Sequence, residues 1–318
     1  MNPTSTTITT EDATTGRPAT APRAGNGFVV LANPSAGSAD NDLTEQLADR
    51  LGQHGEVVLS PLGDDPDDDT ALDRAITEAD GRCLVVVGGD GSLHRTVARM
   101  AALDRRDLEV GLIPLGTGND LARGAGLPLD PLEAVDALAH FAARPMDLLV
   151  GNGSVIVNAV HVGLGADAAI QAGRWKSRLG AAAYPLGAVV AGTWSTPWEL
   201  TVTVDGRVVH DGTTVLAGIG NGPSVGGGTP MFPGARLDDG QAVVVVAGSR
   251  WGRVGRAVFG RSLRHGRHGR LPWVRIVRGR QIKVTGEPVA GNADGEIWPA
   301  SPSWDVTVQP KALRLRRP

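Results

Sequence analysis

The chain has 318 residues and a formal net charge of −3, and because this length exceeds what one compact core usually needs, two domains are expected. A hydrophobic fraction of 41% and a charged fraction of 20% indicate a globular protein and exclude a wholly disordered or fibrous chain. The near-neutral charge and an aromatic fraction of 4% argue against nucleic acid as a partner.

Residues 1–27 are rich in Thr, Ala and Gly, contain no Leu, Val or Phe, and are predicted to form a disordered tail. The sequence contains no run of the roughly 18 apolar residues that a membrane span requires, so any membrane contact is expected to be peripheral. The single cysteine, Cys83, cannot form an internal disulfide. Since this is typical of a reducing compartment, we expect a cytoplasmic protein.

Residues 28–149 are predicted to form an α/β domain with a parallel sheet. Apolar runs without polar alternation predict buried strands at residues 28–32, 56–59, 83–87 and 110–114. Helices are predicted between and after these strands, at residues 42–51, 71–79 and 93–103. This alternation is typical of a parallel sheet covered on both faces, which binds its ligands at the carboxyl ends of its strands.

Residues 150–300 are predicted to form a second, β-rich antiparallel domain. Its short strands are closely spaced, at residues 155–159, 199–204, 208–210, 213–219, 242–247, 274–277 and 281–285. The pair Asp205-Gly206 predicts a two-residue hairpin turn, and residues 251–263 predict one helix. Residues 301–318 are predicted to form a C-terminal segment that returns to the first domain.

The charge is unevenly distributed along the chain. Residues 1–249 carry a formal charge of −14, whereas residues 250–318 carry +11. The basic block at residues 250–280 contains ten arginines and no acidic residue, and its histidines, His265 and His268, are expected to be solvated. Such a block attracts phosphates, nucleic acid or anionic lipid headgroups, and composition alone does not choose among them.

Two glycine-rich segments follow neighbouring strands of the predicted parallel sheet. Gly88-Gly89-Asp90-Gly91-Ser92 follows one strand, and Gly116-Thr117-Gly118-Asn119-Asp120 follows the next. Glycines let backbone N–H groups approach phosphate closely, and a following helix presents its positive end. A carboxylate such as Asp90 fits this setting if it holds Mg²⁺ or orients an attacking hydroxyl. Taken alone, the first segment is better explained by an ordinary strand-to-helix turn in which Asp90 caps the helix.

These segments, together with Asn33-Pro34 in residues 33–37 (NPSAG), resemble the three ordered motifs of the diacylglycerol kinase catalytic domain family, which includes bacterial lipid kinases and sphingosine kinases. The resemblance continues into the second half. Family-like positions there are Asn158, Asp167 in residues 163–168, the glycines at 226–228, Asp238, Asp239, Asp294 and Glu296. The Gly-Gly-Asp-Gly element also occurs in NAD kinases and phosphofructokinases.

The resemblance implies transfer of the γ-phosphate of ATP, with Mg²⁺, to a lipid hydroxyl, and a phosphofructokinase- or NAD-kinase-like α/β domain at residues 28–149. Residues 150–300 would form the lipid-substrate domain. Glu296 is the implied general base and Asp90 a catalytic residue and Mg²⁺ ligand. The implied nucleotide-binding residues are Asn33, Pro34, Gly88, Gly89, Asp90, Gly91, Ser92, Gly116, Thr117, Asn119 and Asp120.

Two departures from the family pattern are visible. His94-Arg95 stands where the family commonly has Asn-Glu, so that a base replaces an acid beside the first glycine segment. Val243 stands where a further Asp often follows Asp238 and Asp239, which argues against the structural Mg²⁺ site that some relatives build around that Asp.

The preferred hypothesis is a lipid kinase that phosphorylates diacylglycerol and works transiently at the anionic inner face of the membrane, which the basic block would contact. An NAD-kinase-like soluble kinase and a catalytically weak lipid-binding protein of the same fold stay open as alternatives. The acceptor lipid is not encoded in a short motif, and the oligomeric state is left open, with a homodimer among the options.

Overall fold

A computed structural model of the chain describes residues 27–32, 38–61, 69–163, 197–249 and 252–318. The first motif with Asn33 and Pro34, as well as Asp167, lies outside the described residues. So does the predicted tail, apart from Gly27.

The N-terminal half alternates strands and helices, as the sequence predicts. Its elements are β1 (Gly27–Ala32), α1 (Ser38–Gly52), β2 (Glu56–Pro61), α2 (Thr70–Glu78), β3 (Cys83–Gly88), α3 (Asp90–Ala102), β4 (Glu109–Pro114), α4 (Asp120–Ala125) and α5 (Pro131–His140). The four strands are parallel and lie in the order β4-β3-β1-β2.

Helices cover both faces of this parallel sheet because its strands are apolar on both sides. In β1, Val29 and Leu31 pack into one core with helices α2 and α3. Phe28 and Val30 point to the opposite face, into a core with α1 and α5. Burial on both faces explains why the strands lack polar alternation.

The C-terminal half is built mainly of antiparallel strands. Its elements are β5 (Ala143–Gly151), β6 (Ser154–Ile156), β7 (Ala159–Gly163), β8 (Trp198–Val204), β9 (Arg207–Gly220), β10 (Ala242–Gly248), α6 (Gly252–Arg264), β11 (Val274–Gly279), β12 (Gln281–Ala293) and β13 (Glu296–Arg316). Asp205 and Gly206 have φ values of 47° and 77°, which form the predicted hairpin turn. No helix of the described residues has the length and hydrophobicity to cross a bilayer.

Two strand predictions in this half are wrong in detail. The predicted strand at residues 155–159 is divided between β6 and β7, because the chain turns at Val157 and Asn158 to bring its N–H groups to another segment. The runs at 208–210 and 213–219 form one strand, β9, which continues through Gly212 beside β8.

The last strand, β13, joins the two halves. Its first part pairs with β12 and its second part with β5, both antiparallel, and its end also pairs in parallel with β4 through Arg314 and Leu315. Arg314 and Arg316 also bind the carboxylate of Glu109 on β4. The halves therefore share one continuous sheet, and the glycine-rich segments after β3 and β4 face the second half.

Candidate active site

The first glycine loop (residues 88–92) and the second glycine loop (residues 115–119) lie side by side, because they follow the neighbouring strands β3 and β4. Leu115 N–H donates to the carbonyl of Gly88 at 3.0 Å. Helix α3 begins directly after Gly89, and among the described residues no side chain caps its first N–H groups. An uncapped helix end between two glycine loops is a suitable place for a phosphate.

The two loops touch through their glycine backbones. A Cβ atom on Gly116 would lie 2.6 Å from the Cα of Gly89, and one on Gly89 would lie 2.9 Å from the Cα of Gly116. Neither position can accept a side chain unless backbone moves. The glycine requirement here therefore comes from close packing of the loops.

Asp90 opens α3, but its carboxylate caps a different helix. One oxygen accepts from Asp120 N–H at 3.0 Å and the other from Leu121 N–H at 3.1 Å, which caps the first turn of α4. Burial raises the pKa of Asp90, and the nearby charges of Asp120 and Asp294 raise it further, while the two backbone hydrogen bonds oppose this. The interpretation of Asp90 as a cap of the helix that follows it is therefore wrong, because its carboxylate binds the first turn of α4 instead.

Asn119 closes the second glycine loop in a left-handed conformation, with φ of 50°. Its Nδ2 donates to the carbonyl of Gly116 at 2.7 Å, while its buried Oδ1 has no hydrogen-bond donor among the described residues. Thr117 is exposed at the tip of the loop, and Ser92 packs against Gly88. The open hydroxyl and the unpaired amide oxygen leave polar groups for a ligand.

Asp120 connects the first half of the chain to a loop of the second half. Its buried carboxylate accepts from the hydroxyl of Ser224 at 2.9 Å. It also accepts from Gly227 N–H and Gly228 N–H, at 2.9 and 2.8 Å. Asp120 therefore acts here as a clamp on the glycine loop at residues 226–228.

Asp294 forms a second connection within this region. Its carboxylate accepts from the N–H groups of Val157, Asn158 and Ala159 at 2.6 to 2.9 Å. The side chain of Asn158 donates to the carbonyl of Ser224 at 2.9 Å, which ties the Asp294 turn to the segment that Asp120 holds.

Glu296 follows the turn that begins at Asp294, and its side chain is 64% exposed. Its Oε1 lies 3.8 Å from Nε2 of His94 on α3, so the start of β13 faces the first turns of α3, which follow the first glycine loop. An exposed carboxylate near a glycine loop at a helix start has a placement that suits a base for an incoming hydroxyl.

The described residues contain no group of three or more His, Cys, Asp or Glu side chains that could hold a metal ion. Both oxygens of Asp90 already accept a backbone N–H. Mg²⁺ usually takes one or two protein carboxylates and completes its shell with phosphates and water. The unpaired Oδ1 of Asn119 and the carboxylate of Asp90 fit that mode, in which the nucleotide carries most of the ligands.

Asp238 and Asp239 are bound to arginines instead of to residues of the two glycine loops. Asp238 pairs with Arg317 at 2.7 Å, and this contact lowers its pKa. Asp239 pairs with Arg278. Val243 is fully buried in β10. Guanidinium groups thus neutralise both carboxylates.

Two residues that organise this region are not identified by the sequence motifs. Asp147 is fully buried in β5 and accepts from Gly240 N–H at 2.6 Å and Lys311 N–H at 2.7 Å, which holds the 238–240 turn against β13. Ser224 links Asp120 to Asn158. The position of Asp147 inside an apolar run (MDLLV, residues 146–150) is the one sequence feature that indicates a structural role for it. No sequence feature indicates the role of Ser224.

The expectation for His268 in the basic block is wrong. His268 is fully buried and its Nε2 contacts the carbonyl of Met231 at 3.0 Å, and burial lowers its pKa. The arginines around it are exposed, namely Arg261, Arg264, Arg267 and Arg270. The block therefore presents a basic surface next to α6.

The architecture is the fold shared by diacylglycerol kinases and NAD kinases. A putative diacylglycerol kinase from Bacillus anthracis str. Sterne matches with a TM-score of 0.75 at 21% identity, over 92% of this chain and 98% of that one. An NAD kinase from Archaeoglobus fulgidus in complex with ATP matches with a TM-score of 0.50 at 14% identity, over 92% and 93%. The predicted fold class is confirmed.

The sequence comparisons give the family. Residues 27–150 match the diacylglycerol kinase catalytic domain, and residues 158–317 match the YegS C-terminal NAD kinase beta sandwich-like domain. A "Probable lipid kinase YegS-like" from Pseudomonas aeruginosa (strain UCBPP-PA14) is 32% identical over 306 residues, 92% of this chain and 94% of that protein. The chain belongs to the YegS-like branch of the diacylglycerol kinase family, and the sequence-based resemblance is confirmed.

Proposed function

We propose that this protein transfers the γ-phosphate of ATP to the hydroxyl of a membrane lipid, with diacylglycerol as the first candidate and phosphatidic acid as its product. The observation that carries the proposal is the pair of contacting glycine loops at the uncapped end of α3, with the exposed carboxylate of Glu296 across from them. Family membership supports the choice of ATP and of a lipid acceptor.

The glycine loops would bind the phosphates of ATP. Backbone N–H groups of Gly91 and Ser92 lie in the first turn of α3, directly after Gly89, where the helix dipole favours negative charge. The hydroxyl of Thr117 is exposed beside them. This arrangement binds phosphate without a lysine, which the first glycine loop lacks.

Asp90 and the amide oxygen of Asn119 would hold Mg²⁺ together with the phosphates, although Mg²⁺ binding stays a prediction. When bound, the ion would neutralise the charge that builds up on the phosphates during transfer. The buried charges of Asp90, Asp120 and Asp294 make the region attractive to a cation.

Glu296 would act on the acceptor. The lipid hydroxyl oxygen forms a bond to the γ-phosphorus, the bond from that phosphorus to the β,γ-bridging oxygen breaks, and ADP leaves with the electron pair. The hydroxyl proton passes to the carboxylate of Glu296. Phosphoryl transfer requires mainly positioning, charge neutralisation and such a base.

The basic surface next to α6 would hold the enzyme at its substrate. Four exposed arginines on or just after α6, and the 66% exposed Val254, suit an anionic bilayer surface. Each such charge near the surface contributes about 1 kcal/mol of attraction. We therefore propose a cytoplasmic enzyme that works transiently at the inner face of the membrane.

Incubation with radiolabelled ATP, Mg²⁺ and a panel of acceptors tests the proposal. Diacylglycerol, sphingosine and NAD would be supplied separately, together with a total lipid extract, and the labelled products identified. We expect labelled phosphatidic acid from diacylglycerol. Label in NAD alone, or in no acceptor, would overturn the lipid-kinase proposal.

A further inference from the structure

His94 is buried between two carboxylates at the junction of the two halves. Its side chain is 9% exposed and projects from α3 towards the turn between β12 and β13. Nδ1 lies 2.9 Å from Oδ2 of Asp294, and Nε2 lies 3.8 Å from Oε1 of Glu296. The imidazole therefore connects a buried carboxylate to the exposed one that faces the first glycine loop.

Asp294 fixes the protonation pattern of this histidine. Its side chain is 2% exposed and accepts three backbone N–H groups besides His94, so it is held as a hydrogen-bond acceptor. An ionised carboxylate has no proton to donate, so Nδ1 of His94 must carry the proton of their contact. In the neutral imidazole, Nε2 is then the free base, and it points to Glu296.

The other charged groups around His94 do not compete for it. On α3, Asp90 is directed to the N–H groups of α4, and Arg95 binds Asp69 at the start of α2. Strand β6, which packs on α3, carries only Ser154, Val155 and Ile156. Burial lowers the pKa of His94, but the hydrogen bond and charge of Asp294 and the charge of Glu296 outweigh burial and raise it.

We propose that the Asp294–His94 pair is the final acceptor of the proton that leaves the lipid hydroxyl, with Glu296 passing it on. In this step, which rests on the proposed function, the carboxylate of Glu296 takes the hydroxyl proton as the new O–P bond forms. Glu296 then gives that proton to Nε2 of His94, directly after a side-chain rotation or through one water. The imidazolium lies between two carboxylates, and Glu296 is again ionised.

This arrangement gives the reaction a stronger base than a carboxylate in water. An imidazole in water holds a proton about two pKa units more tightly than a carboxylate does. The burial of Asp294 and its three N–H donors keep the pair in place at the domain junction. His94 thus acts through Glu296, as a positioning residue and a proton acceptor for the proposed transfer.

The variant His94→Asn tests the inference while preserving the contact with Asp294. The asparagine amide can donate to Oδ2 of Asp294, but it has no basic nitrogen. We expect kcat at pH 7.5 to fall about 100-fold, the usual size of a lost acid–base contribution, with KM for ATP within about twofold of wild type. His210→Asn, on β9 away from this junction, is the matched control and should retain wild-type kcat.

The dependence of kcat on pH separates proton acceptance from a purely orienting role. If neutral His94 accepts the proton, the wild-type rate rises with pH through the pKa of His94, and this limb disappears in His94→Asn. A rate that falls as pH rises through that pKa, or a variant with an unchanged profile, overturns the inference. Absence of lipid phosphorylation by wild type would instead overturn the proposed function, and this inference with it.

Discussion

Carboxylates are held in two different ways in this protein. Around the glycine loops, Asp90, Asp120 and Asp294 are held mainly by backbone N–H groups from distant segments. At the 238–240 turn, Asp238 and Asp239 are held by arginine side chains. The first arrangement fixes the course of two backbones and gives these carboxylates no arginine partner among the described residues, with His94 as a contact of Asp294, whereas the second neutralises the charge with guanidinium groups.

The difference explains what each region is suited for. Carboxylates that accept N–H groups and have no arginine partner in the part of the chain that the structure describes are suited to attract a cation, and their hydrogen bonds keep the loops in one arrangement. Arginine pairs at a partly exposed turn contribute little to stability and offer no free ligand oxygen to a metal. Acidic motif residues of similar appearance in the sequence therefore have different physical roles.

The largest expected effect comes from Asp120→Ala. This change leaves Ser224, Gly227 and Gly228 without their acceptor, and we expect the free energy of unfolding to fall by about 3 kcal/mol. Asp239→Ala, which removes one partly exposed arginine pair, should cost less than about 1 kcal/mol. Urea unfolding of both variants measures the difference. Equal losses would show that the two kinds of carboxylate are energetically alike.

A smaller effect is expected from Gly116→Ala, which tests the contact between the glycine loops. The new methyl group would lie 2.6 Å from the Cα of Gly89 and 2.8 Å from Oδ1 of Asn119, so we expect a loss of about 2 kcal/mol. Gly91→Ala is the matched control for stability. Its added methyl group would have no neighbouring group of the described residues within 4 Å, and alanine is a better helix former than the glycine that it replaces. Unfolding without nucleotide measures both. A stable Gly116→Ala protein would contradict the packing of the loops.

The smallest effect concerns Asp238 and depends on pH. Arg317 lowers the pKa of Asp238 in the folded protein, so the contribution of this pair is present above the unfolded pKa of about 3.9 and is lost as pH falls through the folded pKa. We expect Asp238→Asn to be less stable than wild type at pH 7, by well under about 1 kcal/mol, and equal to it at about pH 2. A difference that grows with acidification would show that Arg317 does not stabilise the ionised form.

Much of the first half could be predicted from the sequence, because its strands are buried on both faces. Runs such as CLVVV at residues 83–87 therefore stand out without any pairing information. The two glycine loops could be placed side by side because β3 and β4 are sequential parallel strands. The hairpin turn at Asp205-Gly206 could also be predicted, because this residue pair is typical of two-residue turns.

The structure of the second half is harder to predict from the sequence because it depends on pairing between strands that are far apart in the chain. Strand β13 spans Glu296–Arg316 and pairs with β12, β5 and β4. Its prolines and exposed polar residues do not form a pattern that predicts a strand with these partners. The roles of Asp120 and Asp294 were also not predictable in this form. Both residues were identified by motif, but only the folded chain shows that they accept N–H groups from segments more than 100 residues away.

The role of Glu296 as the base is tested most directly by measuring the rate at which wild type and Glu296→Gln form labelled phosphatidic acid. Glu287→Gln, which changes an exposed carboxylate on β12, is the control. We expect product from wild type and Glu287→Gln, and a rate at least about 100-fold lower from Glu296→Gln with unchanged stability. A Glu296→Gln protein as active as wild type would contradict a phosphoryl transfer in which this carboxylate takes the lipid proton.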